Sequence, residues 1–473
     1  MTPLPIGLDR SASTPLSAQI YRAIRHAIES GQLAAGARLP SWIDLAAKLG
    51  VSRGTVRAAY DRLIDEQFAV ALGAAGTRIA DRPPLAPTPG WTPDAPPLPD
   101  LFHEFGAAPA AFQMGVPSQE AFPFKLWSRV LTRAARQTAV APVGYPDPRG
   151  DPDLRREIAA YLGVARGLRC NPSQVFITAG FSGALGLAIR GLGVEGKVAW
   201  MEDPGFPLTR TALGLAGMTV TAVPVDADGL DVDAGIRQSA QSAQSALAVV
   251  TPGQQAPLGM AMSLSRRLAL LAWARRNDAW IIEDDYLSEL QLQGRAAPAL
   301  ASLDQDGRVL HVGTFSKTIS PVLRLGFLVV PLEMVRRFGD ITACLAPAPA
   351  AFMQHAVAEF LREGHYLRHI RRMKRLYAAQ RDALLRCLNE VAPSSVKIRA
   401  AAGTAVVMSV PDSASDVDIA LRALQFGLAP VPLSPWFMNP PRQQGLLLGV
   451  TNLNERTMVA HCRRLVELVH ERR

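Results

Sequence analysis

Val309 to Phe327 reads VLHVGTFSKTISPVLRLGF. An apolar run gives way to small hydroxyl residues around one lysine, Lys317, and Arg324 follows just before a second apolar run. A run this short, bounded by glycine and hydroxyl residues, predicts a buried strand with Lys317 at its carboxyl end. Other stretches repeat the pattern: VFITAG (175–180), KVAWMEDPGF (197–206), ALAVVTPG (246–253) and AWIIEDDY (279–286). Helical patterns accompany them, such as the amphipathic DPDLRREIAAYLGVARG (151–167) and ALGLAIRGL (184–192). Alternation of this kind predicts βαβ units, a mostly parallel sheet and an α/β fold class. Ligands of such sheets collect outside the carboxyl ends of the strands. Here those ends carry Gly180, Asp203, Thr251, Asp284 and Lys317.

The chain has 473 residues, enough for roughly two or three domains. Hydrophobic residues make up 48% of it, which allows a large core and excludes global disorder. The formal net charge of +9 permits an acidic partner such as DNA. Cys170, Cys344, Cys387 and Cys462 are scattered, with no CxxC pair and no histidine at metal-ligand spacing. Neither a metal site nor a disulfide framework is expected, and a reduced, cytoplasmic location fits. The start, MTPLPIGLDR, has no apolar signal region, and no apolar run approaches the ~18 residues of a membrane span.

The composition breaks at DRPPLAPTPGWTPDAPPLPD, residues 81–100, whose prolines cannot hold a helix. This segment is read as a linker between residues 1–80 and 101–473. Ahead of it, Leu16, Ile20, Ala23, Ile24, Ala27 and Ile28 share one helical face that Gly31 ends. PSWIDLAAKLG and VSRGTVRAAYDRLIDEQ follow as helices, the second capped by Ser52. FAVALGAAGTRIA then reads as strand, glycine-rich turn, strand.

LAAKLGVSRGTVRAAY is two helices joined by a short turn with glycine. In a helix-turn-helix, the start of the second helix meets bases and phosphates in the major groove. Ser52, Arg53, Thr55 and Arg57 lie there and offer hydroxyls and guanidiniums. GAAGT, with Gly76 and Thr77, would form a wing that approaches the DNA backbone. The bare pattern equally suits a three-helix protein-interaction module. The full run from Thr14 to Ala80, with PLSAQIYRAIRHAI, SGQLAAGARLPS, LAAKLGVSRGTV, AYDRL and the late GT, resembles the winged helix-turn-helix of GntR-family regulators. The resemblance implies binding to a double-stranded DNA operator through Ser52, Arg53, Thr55, Arg57, Gly76 and Thr77. It also marks a departure: Ile43 stands where that family usually has an arginine.

The larger part carries a second kind of chemistry. A lysine that forms a Schiff base must be neutral part of the time, and burial near other cations favours that. Lys317, near Arg324, suits the role. A phosphorylated aldehyde cofactor needs anion ligands. Arg324 offers a charged fork, Thr314 and Ser316 offer hydroxyls, and Gly180, Phe181 and Ser182 offer backbone N–H groups at a helix start. A pyridine ring draws electrons only while its nitrogen stays protonated, which a buried carboxylate secures. WIIEDDY supplies Glu283, Asp284 and Asp285, with Tyr286 beside the ring oxygen, and EDPGF supplies Phe206 to stack on the ring.

VGYPDPRGDPDLRREIAAYL, VFITAGFSGAL, MEDPGFP, WIIEDDY and GTFSKTISPVLRLGF together resemble the fold-type I pyridoxal-phosphate aminotransferases over about residues 112–465. With the N-terminal part, the chain resembles MocR-type regulators, which fuse a GntR-type reader to an aminotransferase-like domain. The resemblance implies a mostly parallel central sheet with a smaller C-terminal α+β subdomain. It implies pyridoxal 5'-phosphate held as an internal aldimine on Lys317, Asp284 at the ring nitrogen, Tyr286 at the ring oxygen, Phe206 on the ring face, and Arg324 with Thr314 on the phosphate. Because these domains usually pair, it also implies a homodimer in which Tyr145 reaches the neighbouring subunit's site. TPGQQAPLG departs from the subfamily's usual SHQFPTG or SHQYPTG: Gln254 replaces histidine, Ala256 the aromatic residue and Leu258 threonine. Phe181 stands in the phosphate turn where a small or hydroxyl residue is usual. The late strand GLLLGVTNL lacks the arginine that grips a substrate carboxylate, leaving Arg442 and Arg210 as nearby candidates. The expectation is a transcriptional regulator that senses a small amine or amino acid; the alternative is a working aminotransferase with an accessory DNA-binding domain.

Overall fold

A computed structural model describes residues 6–81, 110–239, 244–292, 296–400, 403–411, 413–440 and 443–471. Contacts divide the chain into two units, Met1–Pro97 and Leu98–Arg473. Most of the proline-rich segment read as a linker lies outside the described residues, and so does Arg442.

In the first unit, helix α1 (Leu16–Glu29) buries Ile20, Tyr21, Ile24, Ala27 and Ile28 along one stripe. Helix α2 (Trp42–Leu49) starts where the Ser41 side chain accepts from the Asp44 N–H and ends at Gly50, whose φ of 62° suits glycine. Helix α3 (Arg53–Asp65) is capped by Ser52 and buries Val56, Ala59, Tyr60 and Leu63. Strands β1 (Ala69–Ala71) and β2 (Thr77–Ile79) pair antiparallel as a short wing. One apolar cluster, including Ile20, Leu45, Val56, Leu63, Phe68 and Ile79, joins the three helices to the wing.

The second unit begins with helices α4 (Phe124–Val140) and α5 (Pro152–Ala165). Strand β3 (Val175–Thr178) leads into α6 (Gly180–Leu192), and β4 (Val198–Asp203) into α7 (Pro207–Leu215). The hairpin β5 (Thr219–Asp226) and β6 (Gly229–Leu230) precedes α8 (Val232–Ser239). Then come β7 (Ser245–Val250), α9 (Leu264–Arg276), β8 (Trp280–Asp285), β9 (Val309–Thr314) and β10 (Gly326–Val329). The sheet order is β3-β10-β9-β8-β7-β4-β5-β6. Pairs from β9 through β8, β7 and β4 to β5 are parallel, whereas β10 runs antiparallel between β9 and β3. Strands buried on both faces need continuous apolar runs, and this sheet is covered by separate apolar layers, one around Phe176, Met201 and Leu328, the other around Trp200, Val250 and Ile281.

Helices α10 (Val335–Leu345), α11 (Ala351–Arg362) and the long α12 (His365–Val391) lead to the C-terminal part. There β11 (Ile398–Ala400), β12 (Ala405–Ser409), β13 (Val431–Pro432) and β14 (Gly445–Gly449) form an antiparallel sheet, ordered β11-β12-β14-β13. Helices α13 (Asp416–Leu424) and α14 (Met458–His470) complete this α+β subdomain. None of the described helices is long and apolar enough to cross a membrane.

Candidate functional site

Strand β8 carries three acids at its end, and strand alternation separates them. Glu283 and Asp285 face His311 of β9. His311 Nδ1 stands 3.0 Å from Glu283 and its Nε2 3.7 Å from Asp285. Arg166 Nε reaches Asp285 at 2.6 Å, while the N–H groups of Leu300 and Ala301 donate to Glu283 at 2.7 and 3.0 Å. Burial pushes Glu283 up, but His311 and these N–H groups outweigh it and hold the carboxyl well below its usual range. His311 is raised in turn, Glu283 overcoming the cost of burial. This network ties the strand end to β9, Arg166 and the 300–301 turn from one face.

Asp284 points the other way. It is only 8% exposed, and its Oδ1 has no hydrogen-bond partner among the described residues. Burial, then the charges of Asp285 and Glu202, push its carboxyl up to about 8 against the pull of Lys317 and His311. A buried, unpaired carboxyl oxygen is costly unless something pairs with it. A protonated ring nitrogen is such a partner, so this site fits a pyridine cofactor. Glu202, at the end of β4, accepts from the Thr251 hydroxyl at 2.5 Å and the Thr251 N–H at 3.2 Å. Burial pushes Glu202 up to about 7 against those bonds. Burial, with the charges of Asp284 and Glu202, raises the Tyr286 hydroxyl.

Lys317 is half-buried, and Nζ donates to the Gly115 carbonyl at 3.0 Å. Burial pushes the amine below its usual value, with Asp284 opposing. Gly115 has a φ of 75°, and a Cβ there would stand 2.7 Å from Lys317 Nζ. The backbone conformation favours glycine, and a side chain there would push the lysine amine aside.

A second cluster lies where β10 brings β3 and β9 together. Gly326 pairs with Thr178 on one side and Thr314 on the other. A Cβ at Gly326 would meet the Gly180 Cα at 3.0 Å, so the backbones touch. The start of α6, with Gly180 and the exposed Ser182, thereby comes beside Thr314. Arg324 Nη2 donates to the Ala179 carbonyl at 3.5 Å, setting a guanidinium at the same helix start. Thr314 Oγ1 and Ser316 Oγ are 3.0 Å apart. Phe181 packs its ring against the apolar layer and leaves only backbone for a ligand. Free N–H groups, hydroxyls and a guanidinium together suit a phosphate. Arg324 holds a φ of 47°, which is strained for a residue with a side chain.

The other expected residues are placed as follows. The Phe206 ring lies 5.5 Å from that of Trp436. Gln254 is buried, and its amide fills the space over Gly403, where a Cβ would be 1.7 Å away. Arg210 donates to the carbonyls of Phe437 and Pro435, at 3.4 and 3.1 Å. The structure does not bring Tyr145 to its own chain's site, since the side chain is wholly exposed beside the exposed Val143. In β14, where a carboxylate-gripping arginine is looked for, Leu446, Leu447 and Leu448 are fully buried. Glu202, Gly115 and the His311 network lay outside the sequence-based expectations. Glu202 alone had a signal, as an acid one residue before the strand's end. Among the described residues no His, Cys, Asp and Glu group is arranged to hold a metal ion.

In the first unit the Ser52 hydroxyl accepts from the Thr55 N–H at 3.1 Å and lies 2.8 Å from the Thr55 hydroxyl. The Ser52 hydroxyl therefore caps α3, with the Thr55 hydroxyl bonded to it. Arg53 and Arg57 project from its exposed face, Arg57 only 3.8 Å from Asp61 in a solvated pair. Gly76, at a φ of 87°, and Thr77 form the wing tip's return.

Residues 16–79 match the bacterial regulatory proteins of the gntR family, and residues 122–432 match aminotransferase class I and II. The chain is 37% identical over 464 residues to the probable rhizopine catabolism regulatory protein MocR of Rhizobium meliloti, covering 95% of this chain and 93% of that one. A crystal structure of an archaeal alanine:glyoxylate aminotransferase superposes with a TM-score of 0.71 at 26% identity, covering 78% of this chain and 93% of that one. The α-aminoadipate aminotransferase LysN of Thermus thermophilus, complexed with N-(5'-phosphopyridoxyl)-L-leucine, gives 0.67 at 26% identity, over 79% and 97% of the two chains.

Proposed function

Since the chain belongs to the MocR-type GntR-family regulators, with a GntR reader and a class I and II aminotransferase domain, we propose that it is a pyridoxal-phosphate-dependent transcriptional regulator that senses a small amine or amino acid. The observation that carries the cofactor is the orphaned, buried Oδ1 of Asp284 in the same domain as a depressed Lys317 amine. Pyridoxal phosphate, when bound, supplies an aldehyde that condenses with primary amines. Lys317 would hold it, burial shifting the amine toward its neutral form. Asp284 would pair with the ring nitrogen and Tyr286 with the ring oxygen. Phe206 would cover the ring face. Arg324, Thr314 and the start of α6 would take the phosphate. The regulator works from the cytoplasm, as the domains 1–80 and 101–473 joined by a linker, and as a homodimer in which the exposed Tyr145 meets the second copy.

Sensing rather than turnover is supported by the described residues where a carboxylate grip is looked for. Arg210 is engaged with main-chain carbonyls, and β14 is aliphatic. An effector shifts two reader arrangements only by preferring one of them. The purified protein should show the visible band of lysine-bound pyridoxal phosphate, absent in Lys317→Ala. Amines or amino acids should change that band and alter operator binding. Steady multi-turnover transamination of a common amino acid with a keto acid would overturn the sensing role and favour the enzyme.

A further inference from the structure

The wing is wider than its hairpin. Arg38, in an extended segment ahead of α2, stands antiparallel to Arg78 of β2. The bonds flanking this pair, Leu39 N–H to Thr77 O and Ile79 N–H to Ala37 O, measure 2.9 and 2.8 Å. Side chains alternate along such strands. Leu39 and Ile79 enter the core, so Arg38 and Arg78 project from the opposite, exposed face. The bonding pattern makes them a non-hydrogen-bonded pair, the kind in which side chains stand closest. From there Arg38 leans toward Gly76 and Arg78 toward Gly36, so the guanidiniums flank the pair on opposite sides. Neither guanidinium makes an ion pair with a described residue.

Both are held in place. Arg38 lies against the wing's Gly76, where a Cβ would stand 3.2 Å from Arg38 Nε. Arg78 Nη1 donates to the Gly36 carbonyl at 3.0 Å. Tyr60 of α3 donates to the Pro40 carbonyl at 2.9 Å and ties this segment to the recognition helix. Nearby in sequence, the exposed Ile43 cannot bind an anion.

We infer that Arg38 and Arg78 form a two-point phosphate clamp beside the wing, in which each guanidinium takes its own backbone phosphate of double-stranded DNA, Arg38 on the Gly76 side of the pair and Arg78 on the Gly36 side. The clamp rests on the reading of the N-terminal unit as a DNA reader. Its chemistry is sequence-independent, so it adds affinity and register but no base preference.

The test uses the full chain, a duplex from upstream of its own gene and a random duplex of equal length. Arg38→Ala, Arg78→Ala, the double variant and Arg53→Ala are compared over a fourfold rise in salt. Each lost clamp contact should lower the salt slope by about 0.9, or roughly 3.5-fold in affinity across that range, equally on both duplexes. The preference for the upstream duplex should survive in the clamp variants and fall in Arg53→Ala. Millimolar inorganic phosphate at matched ionic strength should not displace the DNA; displacement confined to chains with an intact clamp would make it a free-phosphate site and overturn the proposal. Arg38→Gln and Arg78→Gln provide the same readout should the alanine variants melt early. Clamp variants with the wild-type slope, while Arg53→Ala still lowers preference, would sink the clamp and leave the reader standing. A wild-type chain with no salt-dependent binding to either duplex would sink both.

Discussion

Asp284→Asn should act in opposite directions on the empty and the loaded protein. The folded state pushes the Asp284 carboxyl from 3.8 up to about 8. The folded chain therefore keeps a proton that the unfolded chain releases. The stability owed to the neutral carboxyl is complete below 3.8 and is lost as pH rises toward about 8. At pH 7 the gap is about 3 pH units, which at roughly 1.4 kcal/mol each costs the folded state about 4 kcal/mol. Asparagine carries no such cost, and its amide leaves about as much unpaired as the protonated carboxyl does. Spread over Leu98–Arg473 at about 2.1 cal/mol/K per residue, that raises the melting temperature by about 5 °C at pH 7. At pH 5 the gain should shrink to below about 2 kcal/mol. With cofactor the sign reverses. Losing a charge-assisted bond to the ring nitrogen should weaken pyridoxal phosphate by about 10- to 100-fold. Thermal unfolding of cofactor-stripped protein at both pH values, and an absorbance titration with cofactor, measure the two effects. A stripped variant that melts no higher than wild type at pH 7, or that takes up cofactor with wild-type affinity, would refute the reasoning.

Arg324→Gly removes a strained φ of 47° along with the guanidinium. It should leave the stripped protein's melting temperature level or slightly raised, weaken pyridoxal phosphate at least tenfold, and leave unphosphorylated pyridoxal nearly unaffected in the same titration. Gly115→Ala forces a φ of 75° on a side chain and crowds Lys317 Nζ. A loss of about 1–2 kcal/mol in denaturant melts and a weaker visible band are expected, and wild-type values in both would show that the loop gives way freely. Ser52→Ala removes the cap of α3, so the reader should lose about 1 kcal/mol. Its operator affinity should fall with stability and recover with Ser52→Asp only if the hydroxyl's role is capping.

Local signals made much of this architecture legible. The stripe from Ile20 to Ile28, the cap at Ser52 and the apolar runs ending at Asp284 and Thr314 are short-range patterns, and the elements follow them. What stayed hidden depends on pairing between distant segments. Nothing in LRLGF tells that β10 runs antiparallel between β9 and β3, yet that insertion sets Arg324 beside the start of α6. Gly115 meets Lys317 across more than half of the second unit's length. In WMEDP, alternation alone leaves it open which acid faces the site. The structure turns Glu202 toward Thr251 and spends Asp203 on the N–H groups of Met438 and Asn439. His311 reads as one polar residue in an apolar run until Glu283 is placed opposite it.

The same geometry explains why one end of the site is built tightly and the other is not. Lys317, Asp284 and Arg324 hang on strand ends and a helix start fixed by the sheet and by the Arg166–Asp285–His311–Glu283 network. Each would hold a part of the cofactor. A catalyst must in addition hold its substrate's far end more firmly in the transition state than in the ground state. In this chain Leu447, Leu258 and Met114 join one apolar cluster with Val407 and Phe437 where an anion grip is looked for. Such a cluster offers no charge to a carboxylate, and on the proposed reading it would discriminate amines by the shape and polarity of what they carry. Differential fit is all that shifting a regulatory equilibrium demands. On the proposed reading, the cofactor end would supply reactivity toward amines and the apolar end would select among them.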